Sequence, residues 1–169
     1  KVCATTATIV AAHGTLAVYP IFQYGTEEQK KKYLPDLLSG RKLGAFGLTE
    51  PGAGSDSSMQ QTKAVRDGDN YILNGTKCFI TNAEEAETYI ISAMTDKSKG
   101  NHGISTFIVE KGTPGFSFGK HEKKMGIRGS ATADLIFENA VVPAANLLGQ
   151  EGQGFKIMMS TLDAGRISI

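Results

Sequence analysis

The chain has 169 residues, of which 40% are hydrophobic, and this length allows one domain with a buried core. Eighteen basic residues stand against seventeen acidic ones, so the net charge is +1. Such a balance gives no strong field to attract nucleic acid or an anionic membrane surface, and we expect neither as a partner. Cys3 and Cys78 lack Cys-x-x-Cys spacing, and the three histidines are scattered. We therefore expect a reducing compartment, no disulfide and no metal.

The chain begins with a long apolar run, residues 1–21, that several threonines and His13 interrupt. These polar residues leave no uninterrupted stretch of the roughly 18 to 20 apolar residues that a membrane span needs, so we interpret the run as a buried helix. The run starts without Met, and the chain ends inside a second predicted helix. We therefore expect this sequence to be a piece of a longer protein.

The next segment, Thr26–Leu38, has the pattern of a short helix. Thr26 and Gln29 are spaced as a capping box, and two acids stand in the first turn. Beyond Gly40 the pattern changes to short apolar runs separated by Gly, Asp and Asn, which indicates strands. The predicted strands are Leu43–Leu48, Lys63–Arg66, Tyr71–Leu73, Lys77–Thr81, Tyr89–Met94, Ile104–Val109 and Leu135–Val142. "RDGDN" and Asn74-Gly75 predict hairpin or bulge turns between them.

Several short strands at this spacing predict an antiparallel β-barrel or sandwich of about 100 residues, with helical segments before and after it. The last segment, residues 154–169, carries apolar residues at helical spacing and predicts a helix with one face on a core. Met158 and Met159 are most simply packing residues of that face.

The stretch "FGLTEPGAGSD", Phe46–Asp56, holds three glycines and two hydroxyl residues after an apolar entry. This composition predicts a strand that ends in a turn offering backbone N–H groups and hydroxyls to an anionic ligand. The stretch lacks the Gly-Lys-Ser/Thr ending of a P-loop, and Ser57 stands where a dinucleotide fingerprint needs its third glycine. Taken alone, a stretch rich in Gly and Ser is more often only an ordinary turn.

Four motifs in order closely resemble the flavin-dependent acyl-CoA dehydrogenases over nearly the whole chain: "FGLTEPGAGSD", "KCFITN" (Lys77–Asn82), "KMGIRGS" (Lys124–Ser130) and "TLDAGR" (Thr161–Arg166). The wording of "TDKSKGNHGI" (Thr95–Ile104) is most similar to short-chain, butyryl-CoA-type members. The resemblance implies three parts: residues 1–41 as the end of an N-terminal α-helical domain, 42–150 as a middle β-barrel domain, and 151–169 as the start of a C-terminal helical domain. The expected fold class is therefore an α+β fragment centred on an antiparallel barrel.

The resemblance implies FAD as the cofactor and assigns its contacts to two of the motifs. In this assignment, Thr49 and Thr81 donate their hydroxyls towards the N1/O2 side and N5 of the flavin. The implied FAD-binding residues are Phe46, Gly47, Leu48, Thr49, Gly54, Ser55, Phe79, Ile80 and Thr81. Without the motifs, Thr49 and Thr81 would be ordinary β-strand threonines.

The resemblance also implies a binding site for the acyl-CoA substrate, formed by Ser55 with Asp163, Ala164, Gly165 and Arg166. The alternative for Asp163 and Arg166 is an exposed i,i+3 ion pair. No catalytic residue is assigned within this chain. Glu50 belongs to the flavin loop in the family pattern, and the family's catalytic carboxylate comes from the C-terminal domain, beyond Ile169.

The function implied is FAD-dependent dehydrogenation of a short-chain acyl-CoA to the trans-2-enoyl-CoA, with electrons passed to electron-transferring flavoprotein. The alternatives are an acyl-CoA oxidase or flavin monooxygenase of the same fold, and a non-catalytic β-barrel binding module. We expect the 169 residues alone to be inactive and the full-length protein to be a homotetramer. The expected location is the cytoplasm of a bacterium, or the mitochondrial matrix if the source is eukaryotic.

Overall fold

The structure is a computed structural model that describes residues 3–168, with side chains described as far as Arg166. It contains four α-helices, a π-helical segment, short 3-10 turns and eight strands within that range. The helices at the two ends of the chain pack against one sheet.

The N-terminal run is helical, as predicted, but its middle is not an α-helix. Helix α1 (Ala4–Ala11) continues into a π-helical segment (Ala12–Val18) and then into α2 (Tyr19–Tyr24). The continuous helix Ala4–Tyr24 is 21 residues long, and by length and composition alone it qualifies as a membrane-crossing helix. Helix α1 has no buried residue among those that the structure describes, so the expected burial of the run holds only from Ala12 onward.

Helix α3 (Glu27–Leu38) confirms the predicted capping box. The Thr26 hydroxyl accepts from the Gln29 amide N–H at 3.2 Å, and the Gln29 side chain accepts from the Thr26 amide at 3.0 Å. Gln29 is buried, and its side-chain nitrogen donates to two carbonyls near the end of the sheet, those of Ala145 and Leu147. The cap therefore fixes α3 to the sheet as well as starting the helix.

The strands are β1 (Gly44–Gly47), β2 (Lys63–Asp67), β3 (Asn70–Thr81), β4 (Thr88–Met94), β5 (Ile104–Glu110), β6 (Phe116–His121), β7 (Thr132–Pro143) and β8 (Leu147–Leu148). Two predicted strands are joined as β3, since Asn74-Gly75 forms a bulge within it and not a hairpin turn. "RDGDN" forms the tight turn between β2 and β3. Strands β6 and β8 were not predicted.

The predicted antiparallel β-barrel is wrong, since the eight strands form one open, mixed sheet. Its order is β6-β7-β3-β2-β4-β5-β8, and β1 pairs with β4 beside this path. Among the described residues, β6 and β8 lie at opposite ends and do not pair, and β8 has only two residues. Strand β1 runs parallel to β4, and β2 meets β4 through one parallel pair, Lys63 with Met94. A barrel would need paired edges and matched strand lengths, and this sheet has neither.

Two apolar clusters lie on the sheet. One is formed mainly by side chains of the strands themselves and includes Tyr71, Tyr89 and Phe107. The other lies between the sheet and the helices, where α2 and α3 meet α4 (Gly154–Ser168). Helix α4 therefore covers a core face, as its apolar spacing predicts, and Met158 is fully buried in that face. A cavity remains between the helices and the ends of β1 and β3.

Candidate functional site

The loop after β1 is a closed turn held by its own backbone. Glu50 and Ala53 exchange two amide-to-carbonyl hydrogen bonds of 3.1 and 3.0 Å, with Pro51 and Gly52 at the tip. The Thr49 carbonyl accepts from the Cys78 amide at 2.9 Å, so the loop is also fastened to β3. These backbone bonds give the glycine-rich motif a defined shape.

Strand β3 carries a bulge at its second motif. Its pairing with β7 shifts between Lys77 and Ile80, where three steps on β3 oppose two on β7. Phe79 has φ +59° inside this bulge and is 63% exposed. A bulky residue in the left-handed region is strained, and bulges occur often beside functional sites. The bulge turns an aromatic ring out of the sheet at the place where the glycine-rich loop arrives.

The loop and the bulge form the two sides of one cavity of about 350 Å³, which we call the threonine cavity. This size lies within the range of about 300 to 1,000 Å³ that small-molecule sites occupy. Its lining combines both motifs with two helical segments. The lining residues are Ala12, Leu16, Phe46, Leu48, Thr49, Gly54, Ser55, Ser57, Phe79, Ile80, Thr81, Met159, Leu162 and Arg166.

The threonine cavity combines apolar side chains with hydroxyl groups on both sides. Thr49 lies on the loop and Thr81 at the end of β3, and each is half-buried. Within residues 3–166, the side-chain hydroxyls of Thr49, Ser55 and Thr81 have no hydrogen-bond partner in the protein. They are therefore free to donate to a polar ligand in the cavity.

Most residues predicted to bind FAD line the threonine cavity, and Gly47 is the exception. Gly47 lies in the core, where a Cβ atom would come 2.6 Å from the Ile91 Cδ1 atom. It therefore allows β1 to lie close against β4. Gly54, by contrast, has no atom within 4 Å of its Cβ position and faces open space.

Of the residues predicted to bind the substrate, Ser55 and Arg166 line the threonine cavity. Asp163 and Ala164 do not, and Gly165 packs instead against the Leu16 side chain, at 2.9 Å from its Cβ position. The Asp163 and Arg166 side chains are 78% and 76% exposed, and their charged atoms are 4.0 Å apart. The pair has the geometry of a loose surface ion pair, although the Arg166 side chain borders the cavity.

Five residues of the cavity wall were not predicted. Met159 and Leu162 come from α4, Ser57 follows the loop, and Ala12 and Leu16 belong to the π-helical segment. Glycine in an otherwise apolar helical run, as in "AAHGTL", is the one sequence signal that marks this segment. π-Helical turns occur often at functional sites, and this one supplies Ala12 and Leu16 to the cavity wall.

A buried charge cluster lies behind the loop. Lys77 is fully buried, and its Nζ atom donates to the Glu50 carboxylate at 2.7 Å and to the Leu48 carbonyl at 3.1 Å. Burial lowers the pKa of Lys77 to about 8, against the opposing attraction of Glu50. Burial alone would raise the pKa of Glu50, but Lys77 and the backbone amides of Gln61 and Thr62 outweigh it and lower that pKa.

These contacts exclude Glu50 as a catalytic base. Both of its carboxylate oxygens accept hydrogen bonds, its side chain is only 5% exposed, and it does not line the threonine cavity. A general base must reach the proton that it removes and have a pKa suited to the operating pH. That Glu50 has no such role stays a prediction.

A second buried junction joins the N-terminal helix to the motifs. Asn82, with φ +64°, donates from its side-chain nitrogen to the carbonyls of Ile9 and Gly44, at 3.3 and 3.2 Å. The Gly44 amide in turn donates to His13 Nδ1 at 2.9 Å. Nε2 of His13 therefore carries the ring proton and donates to the Leu37 carbonyl at 3.0 Å. The junction fixes the π-helical wall of the cavity against β1 and β3.

Comparison with known proteins matches two parts of this chain to domain models of one family. Residues 1–41 match the family model for the acyl-CoA dehydrogenase N-terminal domain, and residues 45–140 match that for the middle domain. The chain is 57% identical over 169 residues to the short-chain specific acyl-CoA dehydrogenase of Clostridium acetobutylicum, covering 100% of this chain and 45% of that protein.

Solved structures agree with the sequence matches. Butyryl-CoA dehydrogenase from Megasphaera elsdenii is 58% identical, with a TM-score of 0.95 over 97% of this chain and 43% of its own. An acyl-CoA dehydrogenase from Bacillus anthracis, complexed with FAD, is 46% identical with a TM-score of 0.91 over 97% of this chain and 28% of its own. The chain thus spans less than half the length of the relatives that it matches. By its motifs, its fold and these matches, the chain belongs to the acyl-CoA dehydrogenase family.

Proposed function

We propose that the full-length protein is an FAD-dependent dehydrogenase of short-chain acyl-CoA thioesters, and that the threonine cavity holds the flavin ring. The observation that carries this proposal is the meeting of two distant motifs at one cavity. Thr49 and Thr81 are 32 positions apart in the sequence, yet both line this cavity together with the exposed Phe79.

The residues present fit a flavin. An isoalloxazine ring has apolar faces and a polar edge, and the cavity offers apolar walls, an exposed aromatic ring and two free hydroxyl groups. When bound, FAD supplies the acceptor for the hydride that leaves the substrate's β-carbon. The chain's own part is to bind the ring, to exclude water through Leu16, Leu48 and Met159, and to offer hydrogen bonds at fixed points.

Thr49 and Thr81 are suited to that part. Each is β-branched and stiff at χ1; Thr49 lies just after β1 and Thr81 is the last residue of β3, two strands that the sheet holds in place. We assign both hydroxyls as donors to polar atoms of the flavin ring. A preorganised donor of this kind is worth about a hundredfold or more in rate where charge develops in the reaction.

We also propose that the base which removes the substrate's α-proton lies outside these 169 residues. Glu50 is committed to Lys77 and to backbone amides, and Asp163 is exposed away from the cavity wall. Residues 1–169 alone are then expected to bind FAD weakly and not to oxidise butyryl-CoA. Within this chain, we assign Arg166, which borders the cavity, as a residue that contacts the substrate.

The decisive experiment is anaerobic. The full-length protein is purified, its FAD content is read from the visible spectrum, and butyryl-CoA is added. Rapid bleaching of the flavin band supports the proposal, and a colourless protein that takes up no added FAD refutes it in favour of a non-catalytic binding module. The same titration on residues 1–169 with excess FAD tests the location of the base. Bleaching faster than that of free FAD would place a base within this chain.

The electron acceptor separates the dehydrogenase from an oxidase or monooxygenase of the same fold. We assign electron-transferring flavoprotein as the acceptor, by the resemblance in motifs. Stopped-flow mixing of the reduced protein with this acceptor, and separately with O2, tests the assignment. Reoxidation that is faster with O2 would replace it by an oxidase. The expected homotetramer and bacterial cytoplasmic location belong to the same proposal, and light scattering on the full-length protein measures the first.

A further inference from the structure

The buried cluster behind the glycine-rich loop has no part in the proposed chemistry, and neither of its charged side chains, Lys77 and Glu50, is among the residues that line the threonine cavity. Its centre is the Lys77 ammonium, which has three protons and four acceptors within 3.2 Å. Besides Glu50 and the Leu48 carbonyl, the acceptors are Gln60 Oε1 and Ser92 Oγ. The cluster therefore links β3 to the loop, to the segment before β2 and to β4.

The Glu50 carboxylate extends this link. One oxygen accepts from the Gln61 amide at 2.5 Å, and the other accepts from the Thr62 amide at 3.1 Å and from Lys77. The loop is thus pinned on both sides of its turn, since Glu50 begins the turn and Gln61 lies after it. Replacing Glu50 by an apolar residue would leave two buried amides without a partner.

The contacts converge on Thr49. Lys77 Nζ donates to the carbonyl of Leu48, the residue before it, and to the carboxylate of Glu50, the residue after it. Its own carbonyl is held by the Cys78 amide. Three consecutive loop residues are therefore fastened to two consecutive residues of β3, immediately before the bulge at Phe79 and the hydroxyl of Thr81.

A buried ion pair contributes little net stability compared with well-packed apolar residues, because both charges lose their water. Its hydrogen bonds do, however, fix geometry closely, and a binding site needs its groups held within about 0.5 Å. We propose that Lys77 and Glu50 are positioning residues that hold the Thr49 hydroxyl in register with that of Thr81, so that both meet the same ligand. This inference rests on the proposed function, because the ligand is the flavin.

The test is a double-mutant cycle in the full-length protein, with the dissociation constant of FAD as the readout. Thr49→Val measures what the hydroxyl contributes, and the same change is then made in the Lys77→Met background. We expect Thr49→Val to weaken FAD binding about tenfold in the wild-type protein and less than about twofold beside Lys77→Met, because coupled groups do not act additively. The visible spectrum of bound FAD should shift in the same direction in either single variant.

Leu73→Ala is the matched control. Leu73 is fully buried on the same strand and outside the cavity, so this variant loosens the core without touching the cluster. Thr49→Val should keep its full effect beside Leu73→Ala. Should Lys77→Met fail to fold, Glu50→Gln replaces it, since a glutamine side chain has a single acceptor oxygen and cannot accept from Lys77 and from the Gln61 and Thr62 amides as both carboxylate oxygens do.

The cycle has a clear negative result. If Thr49→Val keeps its full tenfold effect beside both Lys77→Met and Glu50→Gln, the cluster is structural and the inference is wrong. A wild-type protein that binds FAD but is not bleached by butyryl-CoA contradicts the proposed function and leaves the cycle measurable. A wild-type protein that binds no FAD contradicts both.

Discussion

The two glycines assigned to FAD binding, Gly47 and Gly54, should respond in opposite ways to the addition of one methyl group. In Gly47→Ala the new Cβ atom lies 2.6 Å from the Ile91 Cδ1 atom, inside a fully buried part of the sheet. In Gly54→Ala it meets nothing within 4 Å and projects beside the cavity. The first change should therefore act on stability, and the second on the ligand.

The magnitudes follow from these surroundings. Overpacking a core costs about 1 to 3 kcal/mol. Replacing glycine by alanine returns about 0.4 to 1 kcal/mol through the unfolded chain. Gly47→Ala should thus lower the free energy of unfolding by about 1.3 kcal/mol, the difference between the midpoints of these two ranges. Gly54→Ala should leave that free energy within about 0.5 kcal/mol of the wild-type value. It should weaken FAD binding about fivefold, since a misplaced methyl in a binding site costs about 1 kcal/mol.

Urea denaturation of the full-length apoprotein measures the stability difference, and fluorescence titration with FAD measures the affinity. The two assays on the two variants give a crossed pattern: Gly47→Ala shifts the urea midpoint alone, and Gly54→Ala shifts the FAD affinity alone. A Gly47→Ala protein with normal stability and weakened FAD binding would return Gly47 to the cofactor site. Unchanged FAD affinity in Gly54→Ala would place the flavin away from this part of the loop.

Four further predictions follow. Phe79→Ala should reduce FAD retention and shift the visible spectrum, and Thr81→Val should slow flavin reduction more than it weakens CoA binding; unchanged spectra and rates would remove both residues from the site. Arg166→Ala should raise the KM for acyl-CoA with FAD content unchanged, and a wild-type KM would leave a plain surface ion pair. Asn82→Ala should lower the free energy of unfolding by about 1 to 3 kcal/mol, because the buried Gly44 carbonyl and the half-buried Ile9 carbonyl each lose a donor, and an unchanged urea midpoint would contradict this. The Glu50 pKa is lower in the folded than in the unfolded state. The stability that Glu50 contributes is therefore complete above its unfolded pKa of about 4.3 and is lost as the pH falls below that value. Glu50→Gln should reduce the fall of the urea midpoint at acidic pH.

Local signals in the sequence predicted local structure well. The capping box of Thr26 and Gln29 sets the start of α3 by contacts within four residues, and the structure shows both of its hydrogen bonds. Similarly, the apolar spacing after Gly154 predicted a helix with Met158 in the core. These features need no knowledge of distant segments, so a sequence pattern is sufficient to predict them.

Features that depend on distant segments were predicted poorly. Closure of a sheet depends on whether its edge strands reach each other, and the strand pattern is the same for an open sheet and a barrel. Asn74-Gly75 has the composition of a turn, yet Gly75 lies within β3. Glycine suits this position because the Thr62 hydroxyl lies 2.5 Å from where a Cβ atom would be. Burial of Lys77 was not predicted either, since its four acceptors come from three separate parts of the chain.

The π-helical segment makes the length of the N-terminal helix itself a determinant of the cavity. A π-helical turn contains one residue more than the α-helical turn that it replaces, and each helical residue rotates the chain by about 100°. Deleting Gly14 would thus restore a plain α-helix, but would turn Ala12 and everything before it relative to α2. Asn82 would then face a different side chain in place of the Ile9 carbonyl that it now binds. The wall should therefore tolerate Gly14→Ala, whose Cβ atom meets nothing within 4 Å, far better than the deletion of the same residue.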